Sequence, residues 1–359
     1  MAYPYIAQEE LLASELNADL ARVTIKLGDG SDGDVTIDAS SDSYAFGSLD
    51  GTVFTLSRDI YADDLTVDSG YTLRSNGFKI FAKGTLLNNG TIHRNGNNAA
   101  GATAGAALAA GTLPGALAGV TGKAGQRTYG DHDGGVAGGG DNGVDITHSI
   151  VSGTCKVGGL AGGGGGNQPD GGANGANANP GEKGVITPAD ENANFQDFNS
   201  LAYKGLEQDG ATLYFLTLSA SNGGAAGGGG GANNDPGTLG PAGGAGGGGG
   251  GNAGLLIIFC RTLTNNGIIS ANGGGGGDGG DGGGGGAYGA GGGGGGGAGG
   301  NGGYVLLVYM NKTASGTVTA SAGAKGTKGS GGAGNYSGVD GGDGEDGIAG
   351  TVEEINIMT

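Results

Sequence analysis

The stretch Phe81-Ala-Lys-Gly-Thr-Leu-Leu-Asn-Asn-Gly-Thr-Ile-His-Arg-Asn-Gly96 aligns without gaps on Ile258-Phe-Cys-Arg-Thr-Leu-Thr-Asn-Asn-Gly-Ile-Ile-Ser-Ala-Asn-Gly273. Leu86/Leu263, Asn88/Asn265, Asn89/Asn266, Gly90/Gly267, Ile92/Ile269 and Asn95/Asn272 coincide. A third copy follows 49 residues on, where Tyr304-Val-Leu-Leu-Val-Tyr309 matches Leu255-Leu-Ile-Ile-Phe-Cys260, and Ser315-Gly-Thr-Val-Thr-Ala-Ser321 matches Asn266-Gly-Ile-Ile-Ser-Ala-Asn272. A partial fourth is Thr212-Leu-Tyr-Phe-Leu-Thr-Leu-Ser-Ala-Ser-Asn-Gly223. Each unit is an apolar strand, a turn, a second strand and a Gly-rich excursion. Such a unit cannot close a core alone and must stack on its neighbours.

Upstream of the repeat, Thr52-Val-Phe-Thr-Leu56, Leu65-Thr-Val67, Tyr71-Thr-Leu73, Phe78-Lys-Ile-Phe-Ala82, Gly84-Thr-Leu86 and Gly90-Thr-Ile92 follow one another. Each is short, β-branched or aromatic, and closed by a turn residue. There is no room between them for crossover helices. The expectation is an all-β chain of short-stranded β-solenoid units. One short helix is expected over residues 8–22, where Leu12, Leu16 and Leu20 recur every fourth position and Glu9 and Glu10 sit in the first turn. It serves either as a cap on its own domain or as a peg on a larger assembly. The organisation is then an N-terminal attachment segment (1–27), a β-solenoid module (28–100), a Gly/Ala/Asn-rich region with inserted strands (101–253), and repeated strand units with glycine excursions (254–359).

The excursions hold most of the 95 glycines in 359 residues. Residues 273–303 contain 24 Gly in 31 positions. With only 7 Pro and no Gly-X-Y period through the chain, collagen is excluded. A flexible linker is one reading, but linkers mix Gly with Ser, and residues 223–252 and 273–303 contain no Ser. The other reading is a bundle of polyglycine-II helices, extended with three residues per turn and bonded side by side through N–H groups that proline would lack. Ordering a residue costs about 1–2 kcal/mol, and a neighbour bond returns about 0.5–1.5 kcal/mol. Only a lattice anchored at both ends can break even, and the apolar strands bracketing each run supply the anchors.

The net charge is −18, and no cluster of Lys and Arg offers a phosphate-binding surface, so nucleic acid is not an expected partner. The longest apolar runs are too short to span a bilayer. The N-terminus lacks the basic and apolar regions of a secretory signal. Cys155 and Cys260 lie 105 positions apart, which is neither a metal spacing nor a disulfide framework; they read as small buried hydrophobes.

Catalytic motifs are not found. G-x-G-x-x-G recurs inevitably at this glycine content and no βαβ unit accompanies it. Gly122-Lys123 is followed by Ala124, so there is no phosphate loop. Asp63 and Asp64 are neighbours, and neighbouring side chains on a strand point to opposite faces, which disfavours a paired-carboxylate glycosidase. No cofactor is expected, with one exception to weigh. Gly341-Gly-Asp-Gly-Glu-Asp-Gly-Ile-Ala349 fits the nonapeptide of calcium-binding β-rolls and makes Asp343 and Asp346 Ca²⁺ candidates, although that repeat works in tandem and one copy is present. The carboxylate-dense loop Asp29–Asp34 lacks the bidentate Glu of an EF-hand and reads as a solvated turn. Residues that interrupt the glycines are the recognition candidates: Tyr129, His132, Tyr288, Asn335 and Tyr336. Tyr and Asn suit loop tips, as rigid aromatic area and adaptable hydrogen bonding. Phe195, Phe198 and Leu201 read as a small satellite core.

The run from Gly33 through Thr55-Leu-Ser-Arg-Asp-Ile-Tyr-Ala-Asp-Asp-Leu-Thr-Val67 to Gly70-Tyr-Thr-Leu-Arg-Ser-Asn-Gly-Phe-Lys-Ile-Phe-Ala-Lys-Gly-Thr-Leu-Leu-Asn-Asn-Gly-Thr-Ile92 resembles a module of bacteriophage structural and tail-fibre proteins, which leads there, as here, into Gly-rich segments. The glycine field is similar in composition to the distal tail-fibre adhesins of T-even-like phages. The chain departs from these in placing β units between its glycine runs. The resemblance implies a non-enzymatic virion surface protein, a tail fibre or receptor-binding adhesin. It would bind a host cell-surface glycan or outer-membrane protein, join other virion proteins through its N-terminal segment, and form a homo-oligomer without membrane insertion. The alternatives are a purely structural virion or filament subunit and a β-helical glycan depolymerase.

Overall fold

The computed structural model describes residues 27–113, 115–122, 125, 243–284, 290–334 and 337–357. The expected helix over 8–22, Cys155, the island 195–203 and the partial repeat 212–223 lie outside the described residues. Those described are almost all strand or extended chain, with one 3-10 turn at Ser41–Ser43, so the all-β expectation holds.

Among the described residues thirteen strands form two open sheets. The first has seven: β1 (Val35–Ile37), β4 (Ile60–Ala62), β5 (Leu65–Val67), β7 (Ile80–Asn88), β9 (Leu255–Asn265), β11 (Tyr304–Ala314) and β13 (Thr351–Asn356). Its order is β1-β5-β7-β9-β11-β13, with β4 beside β7, and all its pairings are parallel. The second has β2 (Gly47–Asp50), β3 (Val53–Leu56), β6 (Thr72–Arg74), β8 (Thr91–His93), β10 (Ile268–Ser270) and β12 (Thr317–Thr319). It is parallel except for the β2–β3 hairpin.

The core lies between the sheets because strand side chains alternate. From the short strands Val35 and Ile37, Phe54 and Leu56, Leu65 and Val67, Leu73, Ile92 and Ile269 turn inward and are buried. β9 and β11 differ. Leu255–Cys260 and Tyr304–Tyr309 are buried without interruption, the pattern of strands covered on both faces. Leu256, Ile258, Val305 and Leu307 face the inter-sheet core. Leu255, Ile257, Phe259, Tyr304 and Leu306 form a second cluster with Phe81.

The repeat is a stack of strands. β9 and β11 pair Leu255 with Tyr304 and Asn265 with Ala314 in one register. Between β7 and β9 the gapless alignment needs a correction. Thr85 pairs with Thr262 as aligned, but Phe81 pairs with Phe259 rather than Ile258. A bulge sets Lys83 and Gly84 opposite Arg261 alone, a two-against-one count that bends the strand. The extra residue also merges two expected strands into the single β7. Each first strand then turns through Asn-Asn-Gly or Ala-Ser-Gly, and the turns stack. Asn88 Nδ2 donates to Asn265 Oδ1 at 2.8 Å, and Asn266 Nδ2 donates to Asn89 Oδ1 at 2.9 Å. At Gly267 any Cβ would overlap the Gly90 carbonyl oxygen.

The glycine runs are ordered arms. Chain leaves β10 along 271–284 and returns along 290–303 to β11; it leaves β12 along 320–334 and returns along 337–350 to β13. Residues 243–254 form an inbound arm before β9. The N–H groups of Gly274, Gly277 and Gly280 donate to Gly251, Gly248 and Ala245, at 2.7–2.9 Å. Those of Gly273, Gly276, Gly279 and Gly282 donate to Ser321, Ala324, Thr327 and Ser330, at 2.8–2.9 Å. The bonding repeats every third residue and alternates neighbours, so each arm has three faces.

Glycine content follows from which faces meet backbone. Arm 290–303 is packed between 243–254, 271–284, 320–334 and 337–350, and it carries the unbroken run Gly291–Gly297. In arm 271–284 the third face, at 272, 275, 278 and 281, carries Asn, Gly, Asp and Asp. In arms 320–334 and 337–350 glycine recurs at every third residue, at 323, 326, 329 and 332 and at 338, 341, 344, 347 and 350. At those positions an added Cβ would run into a neighbouring carbonyl, and Gly331 is a further such position, against the Gly338 carbonyl.

Candidate functional site

The arms rise from the ends of the short strands, and their far ends gather together. Gly125 lies against Gly243, Gly244 against Gly280 and Gly294, Gly282 against Gly291, and Gly338 against Gly291 and Gly332. These residues flank the three segments that carry the recognition candidates. Tyr129, His132, Tyr288, Asn335 and Tyr336 themselves lie outside the described residues. Their stems are described: they emerge at one end of the lattice, away from the sheets.

Along the lattice the third-face side chains bond to backbone. Asp278 Oδ1 accepts the Thr327 N–H and hydroxyl, both at 2.8 Å. Asp281 Oδ1 accepts the Ser330 N–H at 2.8 Å, and Asn272 Oδ1 the Ser321 N–H at 2.8 Å. Asp340, Asp343 and Asp346 accept the N–H groups of Gly331, Lys328 and Lys325 at 2.9, 3.0 and 2.9 Å. The N–H groups of Ser321, Lys325, Thr327, Lys328, Ser330 and Gly331 are thus met by a carboxylate or carboxamide from a neighbouring arm. Thr327 bonding holds the Asp278 carboxyl below its ordinary range. The Lys328 N–H and then the Lys325 ammonium do the same for Asp343.

The two Ca²⁺ candidates therefore sit on a three-residue ladder. Asp343 Oδ2 also meets Lys325 Nζ at 3.3 Å, and Lys328 Nζ meets Asp340 Oδ2 at 3.0 Å. Among the described residues no three His, Cys, Asp or Glu side chains are grouped to hold a metal ion. In the Asp29–Asp34 loop, Asp32 takes both Arg58 guanidinium nitrogens and the Tyr61 N–H.

A second feature escaped the sequence reading. Asp63 and Asp64 line one shallow pocket of about 260 Å³ with Lys83, Gly84 and Arg261. The rule that neighbours face apart fails because both lie in the bend between β4 and β5. Asp64 Oδ1 accepts the Thr85 N–H, Lys83 Nζ meets Asp63 Oδ1 at 3.4 Å, and the β7 bulge supplies Lys83 and Gly84. The signal available in sequence was the extra residue against the second copy. His93 and Cys260 lie elsewhere in the fold. Burial lowers His93 to about 4, and its Nδ1 accepts the Asn95 N–H at 3.1 Å. Burial raises the Cys260 thiol to about 12.

Among the described residues no helix is long and apolar enough to cross a membrane. Comparison with protein-family models, curated proteins and solved structures finds no match to the chain.

Proposed function

We propose that the chain is a non-enzymatic virion surface protein, a tail fibre or receptor-binding adhesin whose glycine lattice displays loops to a host cell-surface glycan or outer-membrane protein. One observation carries this reading. The stems of the segments holding Tyr129 and His132, Tyr288, and Asn335 and Tyr336 emerge together at the lattice end remote from the sheets. In this reading the strands are coils of a β-solenoid and the arms are polyglycine-II helices, whose three-residue bonding period they share. A stiff backbone lattice suits display, because it spends few side chains on its own cohesion and holds several weak contacts at fixed spacing. The N-terminal segment would join other virion proteins, and oligomer formation would multiply the contacts. The test is adsorption: purified protein is expected to block attachment of the virus to its host, and replacing Tyr288 and Tyr336 with Ala is expected to abolish the block. A protein that assembles but leaves attachment unchanged would instead be a structural subunit.

The Asp63, Asp64, Lys83 and Arg261 pocket favours a second reading, a β-helical glycan depolymerase, since it brings two carboxylates and two cations to one cleft. Release of oligosaccharides from host glycan, lost in Asp63→Asn, would support that reading over display.

A further inference from the structure

We propose that the outer face of the seven-stranded sheet is the seat of this chain's own N-terminal segment, residues 8–22, held through Leu12, Leu16 and Leu20. Phe81, Leu255, Ile257, Phe259, Tyr304, Leu306 and Val308 make that face. Ile257 and Phe259 are each 2 % exposed and Leu306 3 %. Among the described residues, Leu27 and Leu113 are the buried members of the cluster that lie outside the sheet. Two leucines do not cover a face four strands wide, about 14 Å at the usual inter-strand spacing.

Leu27 identifies the segment that supplies the rest. It is 1 % exposed in this cluster. The Gly28 backbone lies on Phe81, where an added Cβ would stand 2.8 Å from Phe81 Cβ. The described chain therefore begins on this face. The leucine-bearing stretch ends five residues upstream, a gap that spans at most about 17 Å. A helix of 15 residues is about 22 Å long, enough to cross β7, β9, β11 and β13. At 100° per residue Glu10 and Ser14 fall on the side away from these leucines, together with Leu11 and Ala18, which leaves a mixed side for solvent or for assembly contacts. Residues 126–242 are the competing source of cover, but they leave at Gly125 and return to Gly243, at the far end of the lattice. The 12-residue arm 243–254 separates that end from the sheet by about 37 Å at 3.1 Å per residue. This inference is independent of the display function.

Cross-linking of the full chain tests it. Leu16→Cys and Met310→Cys are combined with Cys155→Ser, while Cys260 stays shielded by burial. Leu27→Cys with Tyr61→Cys, two positions in the same cluster, is the control pair. A short bismaleimide is expected to join positions 16 and 310 within one monomer, at a yield near that of the control. Joining only between two chains, or a position 16 that stays open to maleimide while the control pair closes, overturns the proposal. As a second arm, Leu12→Asn with Leu20→Asn is expected to raise binding of an apolar dye several-fold with the far-UV strand signal retained. Unchanged dye binding overturns it as well.

Discussion

Gly247 lies so close to Gly277 that a methyl group on the first would overlap the carbonyl oxygen of the second and come within 2.7 Å of the Gly297 nitrogen. The N–H of Gly277 meanwhile donates to Gly248 at 2.8 Å, and that of Gly297 to Gly277 at 2.9 Å. Three arms meet there through backbone alone.

Gly247→Ala must therefore push arms apart, because no flexible side chain is available to yield. The expected cost is about 3 kcal/mol, the upper part of the usual overpacking range. Gly275→Ala is the control. The nearest atom to its added Cβ is 3.7 Å away, so a loss of unfolded-chain entropy of about 0.5 kcal/mol should make it slightly stabilising. Denaturant titration of both variants decides the matter. Equal stabilities would mean the arms are not packed as described.

Acid should loosen the lattice. Asp278, Asp340 and Asp343 have lowered pKa values, each chiefly through a backbone N–H bond. A carboxyl depressed on folding stabilises above its unfolded value of 3.8, and that stabilisation disappears as pH falls through the lower folded value. The thermal midpoint is expected to hold down to about pH 4 and drop below it. Asp278→Asn should keep the Thr327 bond and weaken the acid dependence, whereas Asp278→Ala should lower the midpoint at neutral pH.

Alkali should act on the sheet instead. Burial, then the hydrogen bond to Glu354, pushes Tyr309 up to about 12. A raised pKa contributes stability fully below the unfolded value of 10.0 and loses it as pH climbs toward the folded one. Tyr309→Phe should flatten the fall in midpoint between pH 10 and 12.

The Asn-Asn-Gly turns depend on a side-chain ladder. Asn265→Ala removes the acceptor of Asn88 Nδ2, leaving that amide only the Ile268 carbonyl at 3.1 Å. It also removes the Asn265 bond to Thr317. Lost bonding in a buried site costs about 1–3 kcal/mol. Equilibrium unfolding should show it, with amides of β8 and β10 exchanging faster.

On the outer sheet face, Tyr61, Phe81 and Phe259 stack with centroids 4.9 and 5.0 Å apart and planes within 6°. Phe259→Ala opens a cavity in that column and should cost about 3–5 kcal/mol. Phe259→Leu, which retains most of the volume, should cost distinctly less.

The sequence by itself determined the all-β class, the 49-residue repeat, and the attachment of each glycine run to apolar strands. These are local or periodic properties: strand type, turn chemistry and self-similarity are written in consecutive residues. It also held the three-residue glycine period of 323–332 and 338–350, although that period acquires meaning only once the neighbouring arms are known. The tertiary structure decided the rest. It set Phe81 beside Phe259 through a bulge that a gapless alignment passes over, and brought Asp63 and Asp64 to one pocket through a bend. It gave Asp343 and Asp346 to the amides of Lys328 and Lys325. Each of these depends on which distant segment lies alongside. Backbone bonding between arms carries no side-chain signature, because every glycine offers the same N–H and the same carbonyl. Composition could show that close approach is possible; only the packed lattice shows which glycines require it.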